Sequence, residues 1–349
     1  MRGKFVLSAV AAITALAFAA CGGDDEEAGG GGGAAKKLTD IKVASAPNAF
    51  LSALYVAKDD GLFEKEGLNV EVVEVSSGND SISALASGQA QYADVGFEDL
   101  MELREEGDDS VILVHDILDR VTLTLVMRKQ VADRLGVTPE SPLEERLKAL
   151  KGLKIGITSP GAPSDTYTRF YLRSVGLNPE RDVDIIPLDS APALLAALEE
   201  GQIDAYQLSP PTPYVAAEKG FGVVLVDGTK GEVPEFANFS YTAWGTTRSW
   251  AEENPEAAKA FSRAIAKATE KVKSSPDQVS EQVLDDIGGQ DPAVIRRTVK
   301  AIVPALSPNG CFDPAVVTKT LDTMVKNKLG EGEADPAEGK LWSNKYNAC

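Results

Sequence analysis

The chain has 349 residues, enough for two domains of ordinary size, and its apolar and charged fractions are those of a globular protein. It carries 35 basic and 53 acidic side chains, which gives a net charge of −18. Nucleic acids need a basic face to neutralise their phosphates, so this balance argues against DNA or RNA as a partner. An acidic, soluble surface is the ordinary explanation of the charge.

The first 21 residues have the features of an export signal. Two basic residues precede an apolar run, Phe5 to Phe18, that is too short to span a bilayer. The small residues before Cys21 resemble the lipobox of a bacterial lipoprotein, although Phe18 stands where that pattern prefers Leu or another aliphatic residue. The resemblance implies that Cys21 is acylated and anchors the mature chain to the cell membrane, outside the cytoplasm. An ordinary secretory signal is the alternative.

A flexible tether follows the signal. Residues 22–38 begin GGDDEEAGGGGGAAKK, a run with no apolar residue larger than alanine, so it cannot bury a core. Such a tether would hold a folded domain away from a membrane surface.

The first folded part alternates strands, loops of small residues and helices. We expect strands at Ile41–Ser45, Val70–Val75 and Ala93–Gly96, and helices at Ala49–Lys58, at Ile82–Ser87 and from Phe97. A β-loop-α-β unit requires a right-handed crossover and a parallel sheet. In such sheets a ligand sits at the carboxyl ends of the strands.

A second part repeats this pattern. Strands expected at Val111–Ile117 and Val121–Met127 precede it. Residues 154–214 then follow the order of residues 41–99, with strands at Lys154–Thr158 and Val183–Pro187 and a helix at Thr166–Val175. The segment LLAALEEGQIDAYQLSPP corresponds to SISALASGQAQYADVGFE in the first part. Two similar lobes that face one another would form a cleft.

The chain is expected to cross between the lobes twice. The first crossing lies at residues 118–120, and a strand at Tyr241–Gly245 returns to the first lobe. We therefore assign residues 39–120 and 240–349 to lobe I and residues 121–239 to lobe II. A long helix at Glu256–Ser274 opens the helical C-terminal part of lobe I.

Cysteine and histidine are scarce in this chain. Besides Cys21 it holds Cys311 and Cys349, and in an exported protein a disulfide between them is the favoured interpretation. His115 is the single histidine, so a histidine-rich metal site is excluded.

Three stretches of the chain resemble a known family. They are DGLFEKEGLNVEVVEVSSGND, SALASGQAQYADVGFED and LKGLKIGITSPGAPSDTYTRFYLRSVGLNPERDVDIIPL. They are similar to the NMT1/THI5-like family of periplasmic solute-binding proteins of ABC transporters, which includes sulfonate, nitrate and taurine binders. The resemblance implies an α/β fold of the type II periplasmic-binding-protein class, with two lobes, a hinge and a ligand cleft between them. It also implies capture of a small molecule by hinge closure, delivery to a membrane permease, and a monomer without a cofactor.

The same resemblance places ligand contacts on the loops at the strand ends. Carried onto this sequence, the candidate ligand-binding residues are Ala46, Pro47, Asn48, Ser76, Ser77, Gly78, Asn79, Gly96, Phe97, Ser159, Gly161, Ala162, Pro163, Ser164, Thr166, Ser209, Pro210 and Tyr214. Small residues let a ligand approach the backbone, and helix N-termini expose free N–H groups. The alternatives are plain turn chemistry for Ser159–Asp165 and a packing role for Phe97 and Tyr214.

The charges near these loops favour one kind of ligand. The candidate loops hold no Lys or Arg but do hold Asp80, Glu98, Asp99 and Asp165. A carboxylate repels an anion and attracts an amine or an amidine-like ring. We therefore expect a neutral or weakly basic organic ligand, such as a pyrimidine precursor of thiamine, rather than nitrate or sulfate. A zwitterion such as taurine is compatible.

Catalysis is not expected. Relatives of this family include a pyrimidine synthase that consumes its own histidine and needs a cysteine-rich iron motif. Here His115 lies outside the candidate loops, and the sequence contains no cysteine cluster, P-loop, GxGxxG, HExxH or GxSxG motif. An enzyme of that type and a structural or adhesive lipoprotein are the two alternatives to a transport protein.

Overall fold

A computed structural model describes residues 38–287, 291–330 and 334–349. The predicted signal, Cys21 and the tether up to residue 37 lie outside the described residues. The strands are β1 (Thr39–Ser45), β2 (Leu68–Glu74), β3 (Tyr92–Gly96), β4 (Val111–Leu118), β5 (Thr124–Arg128), β6 (Lys154–Ile157), β7 (Asp184–Pro187), β8 (Ala205–Leu208), β9 (Gly222–Val226) and β10 (Thr242–Thr247).

Helices separate most of these strands and continue beyond the last one. They are α1 (Ser52–Asp59), α2 (Leu62–Lys65), α3 (Gly78–Ala86), α4 (Phe97–Glu105), α5 (Lys129–Leu135), α6 (Leu143–Lys148), α7 (Pro163–Ser174), α8 (Ala191–Glu200), α9 (Thr212–Glu218), α10 (Arg248–Glu253), α11 (Pro255–Ser274), α12 (Pro276–Gln282), α13 (Pro292–Ile302) and α14 (Pro314–Asn327). Within the described ranges, every helix is too short or too polar to cross a bilayer.

The strands form two five-stranded sheets. The first sheet has the order β2-β1-β3-β10-β4 and the second has the order β7-β6-β8-β5-β9. In each sheet, the strands of the βαβ units pair in parallel, as the sequence predicts, with Val43 opposite Val72 and Ile155 opposite Ile185. Each sheet also contains an antiparallel strand, β10 in the first and β5 in the second, so both sheets are mixed. Each sheet with the helices packed on it is one lobe of a two-lobe α/β fold.

The helix after the Ser159–Asp165 loop begins earlier than the sequence suggests. It starts at Pro163, three residues before the predicted start at Thr166. Proline fits the first helical position because the N–H that it lacks has no helical partner there. The apolar spacing is nevertheless correct, since Tyr167, Phe170 and Tyr171 are all buried.

The predicted long C-terminal helix packs on the first sheet as its pattern requires. In α11, Ala260, Phe261, Ile265 and Ala268 are buried. The ring of Phe261 stacks on that of Tyr92 in β3, with 3.9 Å between the ring centroids. Aromatic pairs of this kind add packing energy beyond the area that they bury.

The last residues of the chain lie along β4. Leu113 donates its backbone N–H to Leu341, and Ser343 donates to Leu113. Cys311 and Cys349 are joined by a disulfide bond. His115 is buried in β4, where Nδ1 of its ring lies 3.0 Å from Oδ1 of Asn347.

Helix α13 reaches from the C-terminal part of the chain to the second lobe. Its Val294 packs with Tyr214 and Val215 of α9. The guanidinium carbon of Arg297 lies 4.4 Å above the centre of the Tyr214 ring. This helix therefore contacts the second lobe at a place distant in sequence from both chain crossings.

Candidate functional site

A cavity of about 490 Å³ lies between the two lobes. It is lined by loops that directly follow strands, so it sits where the carboxyl ends of the parallel strands of both sheets meet. From the first lobe and the adjoining segments it is lined by Ala46, Pro47, Asn48, Phe50, Glu74, Val75, Ser76, Ser77, Gly78, Asp94, Gly96, Glu98, Asp99, Tyr241, Thr242 and Ile287. From the second lobe it is lined by Leu123, Thr158, Pro163, Ser164, Ser190, Ala191, Pro192, Leu208, Ser209, Pro211 and Thr212.

Many of the candidate residues from the sequence meet in this cavity. Those that line it are Ala46, Pro47, Asn48, Ser76, Ser77, Gly78, Gly96, Pro163, Ser164 and Ser209. They come from loops after strands of both sheets, which is the arrangement that the repeated pattern predicts. The two lobes therefore both contribute to one cavity.

The remaining candidates do not line the cavity. They are Asn79, Phe97, Ser159, Gly161, Ala162, Thr166, Pro210 and Tyr214. Phe97 is buried and packs edge-on against Phe312. The Tyr214 hydroxyl donates to the Asp227 carboxylate over 3.0 Å, beneath Arg297 rather than toward the cavity.

Most of the Ser159–Asp165 loop is used to build its own turn. The Gly161 N–H donates to Asp165, and Thr166 donates its hydroxyl to the Gly161 carbonyl. The Ser164 hydroxyl accepts from the Thr158 N–H over 2.9 Å. Only Pro163 and Ser164 of this loop line the cavity. Turn chemistry explains Gly161 and Asp165, whereas the buried Ser159 hydroxyl has no hydrogen-bond partner in the described part of the chain.

Three buried or half-buried carboxyl groups gather on the first-lobe side. Glu98 and Asp99 begin α4, and they are 5% and 7% exposed. Asp99 accepts the Gly96 N–H over 2.7 Å, and Asp94 accepts the Ser45 hydroxyl. Within the described part of the chain, neither carboxyl oxygen of Glu98 has a hydrogen-bond partner.

The surroundings shift the pKa values of these acids upward. Removal from water, and secondarily the charge of Asp99, raises the pKa of Glu98 well above its usual range. Burial also raises the pKa of Asp99, and it raises the pKa of Asp94 to about 6. Carboxyl groups with raised pKa values inside a cleft are a common mark of a functional site.

The cavity contains no basic side chain to offset these acids. Among residues 38–287, 291–330 and 334–349, no Lys or Arg lines it. The aromatic area in its wall comes from Phe50 and Tyr241. The same part of the chain holds no group of three or more His, Cys, Asp or Glu side chains arranged to hold a metal ion.

The sequence missed several lining residues. Glu74 and Asp94 belong to strands, where a polar residue usually marks only the solvent face. Ser190 was detectable, because it lies in the loop at the carboxyl end of the predicted strand Val183–Pro187. Tyr241 lies in the cavity wall just before β10, the strand that returns to the first sheet, and no local pattern shows this.

Two mixed α/β sheets with a cavity at their facing edges define a periplasmic-binding-protein fold. The chain belongs to the NMT1-like family, whose model matches residues 34–283. YtlA of Bacillus subtilis (strain 168) is 24% identical over 267 residues, which cover 75% of each chain. The taurine-binding periplasmic protein of Escherichia coli (strain K12) is 29% identical over 226 residues, covering 64% of this chain and 63% of that protein.

Solved structures show the same fold. The alkanesulfonate-binding protein SsuA from Xanthomonas axonopodis pv. citri, bound to MOPS, superposes with a TM-score of 0.67 at 18% identity. The match covers 85% of this chain and 96% of that one. At this identity the likeness establishes the fold alone.

Proposed function

We propose that this protein is the substrate-binding component of an ABC importer. The observation that carries the proposal is the cavity of about 490 Å³ to which both lobes contribute. A space of this size suits a small organic molecule. The taurine-binding relative supports the same role here.

The ligand is captured by hinge closure. A molecule that touches loops of both lobes favours the closed arrangement over an open one. The hinge lies at the two chain crossings, near residues 120 and 240, with lobe I formed by residues 39–120 and 240–349 and lobe II by 121–239. Across the cleft, Asn79 of α3 donates to the Pro160 carbonyl over 3.4 Å, a contact that opening would break.

The ligand is a small organic molecule, either a pyrimidine of the thiamine-precursor type or a sulfonate of the taurine type. The closed, loaded protein docks on a membrane permease, which it reaches as a monomer. A lipid on Cys21 and the tether of residues 22–38 would keep it at the outer face of the cell membrane. The acidic surface of the chain fits a soluble domain held near a membrane rather than inserted in it.

An enzymatic role has less support. The pyrimidine synthases of this family consume a histidine of their own, but His115 is buried beside Asn347 and does not line the cavity. Burial lowers the pKa of His115 to about 4, so its ring is neutral at ordinary pH. A structural or adhesive role would not account for a cavity that is lined by loops of both lobes.

Mass spectrometry of small molecules that co-purify with the protein tests the proposal. We expect a molecule that is released on denaturation, is chemically unchanged, and raises the melting temperature when it is added back. Conversion of that molecule would indicate an enzyme instead. Absence of any bound or stabilising small molecule would favour a structural lipoprotein.

A further inference from the structure

We propose that Glu98 is the recognition group of the cavity and that its ligand presents an amidine-like edge. By this we mean a nitrogen and an N–H group on the same carbon, as in amidines and aminopyrimidines. The inference rests on the proposed function, because it concerns the molecule that the cavity captures. It selects the pyrimidine type over the sulfonate type.

The position of Glu98 is the first argument. Its side chain lines the cavity but is 5% exposed, and neither carboxyl oxygen has a hydrogen-bond partner in the described part of the chain. Buried polar atoms are almost always paired, and one left unpaired destabilises the fold. A carboxyl group held in this way is satisfied when a ligand brings its own donors.

The groups around Glu98 do not supply those donors. Asp99 is engaged by the Gly96 N–H, and Asp94 is engaged by the Ser45 hydroxyl. The Glu98 charge helps to raise the pKa values of Tyr167 and Tyr241 after burial itself, yet neither phenol donates to Glu98. The titratable side chains named here around Glu98 are carboxyl and phenol groups, which become negative when they lose a proton.

Three of the helix N-termini at the cleft already face a carboxylate of the protein. Helix α3 carries Asp80 in its first turn, α4 carries Asp99, and α7 carries Asp165. Such termini attract negative charge, and at these three helices the protein supplies it. Helices α8 and α9 also begin at the cavity and have no acidic residue in their first turn. The acids Asp94, Glu98 and Asp99 in the lining, together with the absence of Lys and Arg from the described lining, disfavour a sulfonate or nitrate ligand.

The chemistry of a carboxyl group fits the proposed edge in either protonation state. An ionised Glu98 accepts two parallel N–H bonds from a protonated amidine, as it would from an arginine side chain. A protonated Glu98 donates to the ring nitrogen of a neutral aminopyrimidine and accepts from its amino group. Phe50 and Tyr241 supply aromatic surface in the same wall.

Calorimetric titration with ligands of matched shape and different charge tests this inference. The probes are 4-aminopyrimidine and benzamidine, with benzamide as the neutral analogue and benzenesulfonate as the anionic one. We expect the first two to bind and benzenesulfonate not to bind. Glu98→Gln should weaken the binding of protonated benzamidine by at least about tenfold, because it removes a charge-assisted pair of hydrogen bonds. It should weaken the binding of neutral 4-aminopyrimidine less, because a glutamine amide can still donate to the ring nitrogen and accept from the amino group.

Two further variants separate recognition from a general effect of charge. Glu105→Gln removes the same charge from an exposed position on α4 and should leave binding unchanged within about twofold. Glu98→Asp keeps the charge but withdraws it by one methylene group, so its binding should lie between wild type and Glu98→Gln. Thermal unfolding confirms that each variant is folded.

The outcomes distinguish this inference from the proposed function. Preferential binding of benzenesulfonate, or equal loss in Glu98→Gln and Glu105→Gln, overturns the inference and leaves the importer role intact. If the wild-type protein binds none of the probes, the inference is tested on the small molecule that co-purifies with the protein. An amidine-like base among the released molecules supports the inference, and an anion overturns it. A protein that neither binds nor releases any small molecule contradicts both.

Discussion

Gly96 lies so close to Glu98 that a β-carbon built on Gly96 would be 2.5 Å from the Glu98 carboxyl carbon. The backbone of Gly96 is extended, with φ near −85°, so its conformation does not itself require glycine. Glycine is needed because the carboxyl group of Glu98 rests against it. The Glu98 carboxyl group can therefore occupy its position only because Gly96 has no side chain.

Gly96→Ala should move the Glu98 carboxyl group and weaken the binding of 4-aminopyrimidine. The displaced group is the end of a flexible side chain, so the melting temperature should change little. Calorimetry on the single variants and on the Gly96→Ala/Glu98→Gln double variant measures the coupling. If Gly96→Ala weakens binding equally in both backgrounds, Gly96 does not act through Glu98.

The empty protein should lose stability as pH rises, because its cavity acids hold protons more tightly when folded. The folded pKa of Glu98 lies well above the unfolded value of about 4.3, and that of Asp94 is about 6. Folding therefore takes up protons above pH about 4.3, and each such group lowers stability by at most about 1.4 kcal/mol per pH unit until its folded pKa is passed.

The comparison of Glu98→Gln with wild type isolates this effect. The free energy of unfolding of Glu98→Gln should exceed that of wild type by an amount that grows as pH rises above about 4.3. His115, whose folded pKa is lowered to about 4, acts in the opposite direction between pH 4 and 6.5 but is common to both proteins. Urea unfolding at three pH values measures the difference. A difference that does not vary with pH would show that Glu98 is not held protonated by the fold.

Removal of the disulfide should destabilise the protein without altering its ligand affinity. Cys311 and Cys349 are 38 positions apart, and a cross-link of that span stabilises by up to about 4 kcal/mol in the chain-entropy model. Neither cysteine lines the cavity. Denaturant unfolding and calorimetry of Cys311→Ser/Cys349→Ser provide the two measurements. Loss of affinity at full folding would indicate that the C-terminal segment shapes the cavity.

Tyr214→Phe tests a residue that the sequence assigns to the ligand and the structure places elsewhere. The variant removes the hydroxyl that donates to the buried Asp227 carboxylate, so stability should fall by about 1–2 kcal/mol. Binding of 4-aminopyrimidine should be unchanged, because Tyr214 does not line the cavity. A drop in affinity with unchanged stability would restore the assignment made from the sequence.

The architecture was predictable because its signals are local. Buried strands appear as short apolar runs, and the parallel pairing of β1 with β2 and of β6 with β7 follows from the helices between them. The family and the two-lobe fold are confirmed. Strand β5 pairs antiparallel with β8 in the second sheet, and β10 pairs antiparallel with β4 in the first. These pairings depend on which strands meet after the chain has crossed between the lobes, and no local pattern encodes that.

The site was only partly predictable, because a cavity depends on which side chains remain unoccupied after folding. The sequence does not show whether Ser164 and Asp165 contact a ligand or stabilise their own turn. The structure shows that the Ser164 hydroxyl already accepts a hydrogen bond from the Thr158 N–H. The acidity around Glu98 was visible in the sequence. That the Glu98 carboxyl group has no hydrogen-bond partner in the described part of the chain could be seen only once the structure had placed Asp99, Tyr167 and Tyr241.

The place of β10 in the first sheet has a consequence for the order of assembly. This strand lies between β3 and β4, although the whole second lobe precedes it in the chain. During synthesis or export, β4 therefore has no neighbour in the sheet until residues 242–247 have emerged, while the strands of the second lobe are complete at Val226. The second lobe should acquire protease resistance first, and the cavity can be completed only when Ile287, more than four-fifths of the way along the chain, is available.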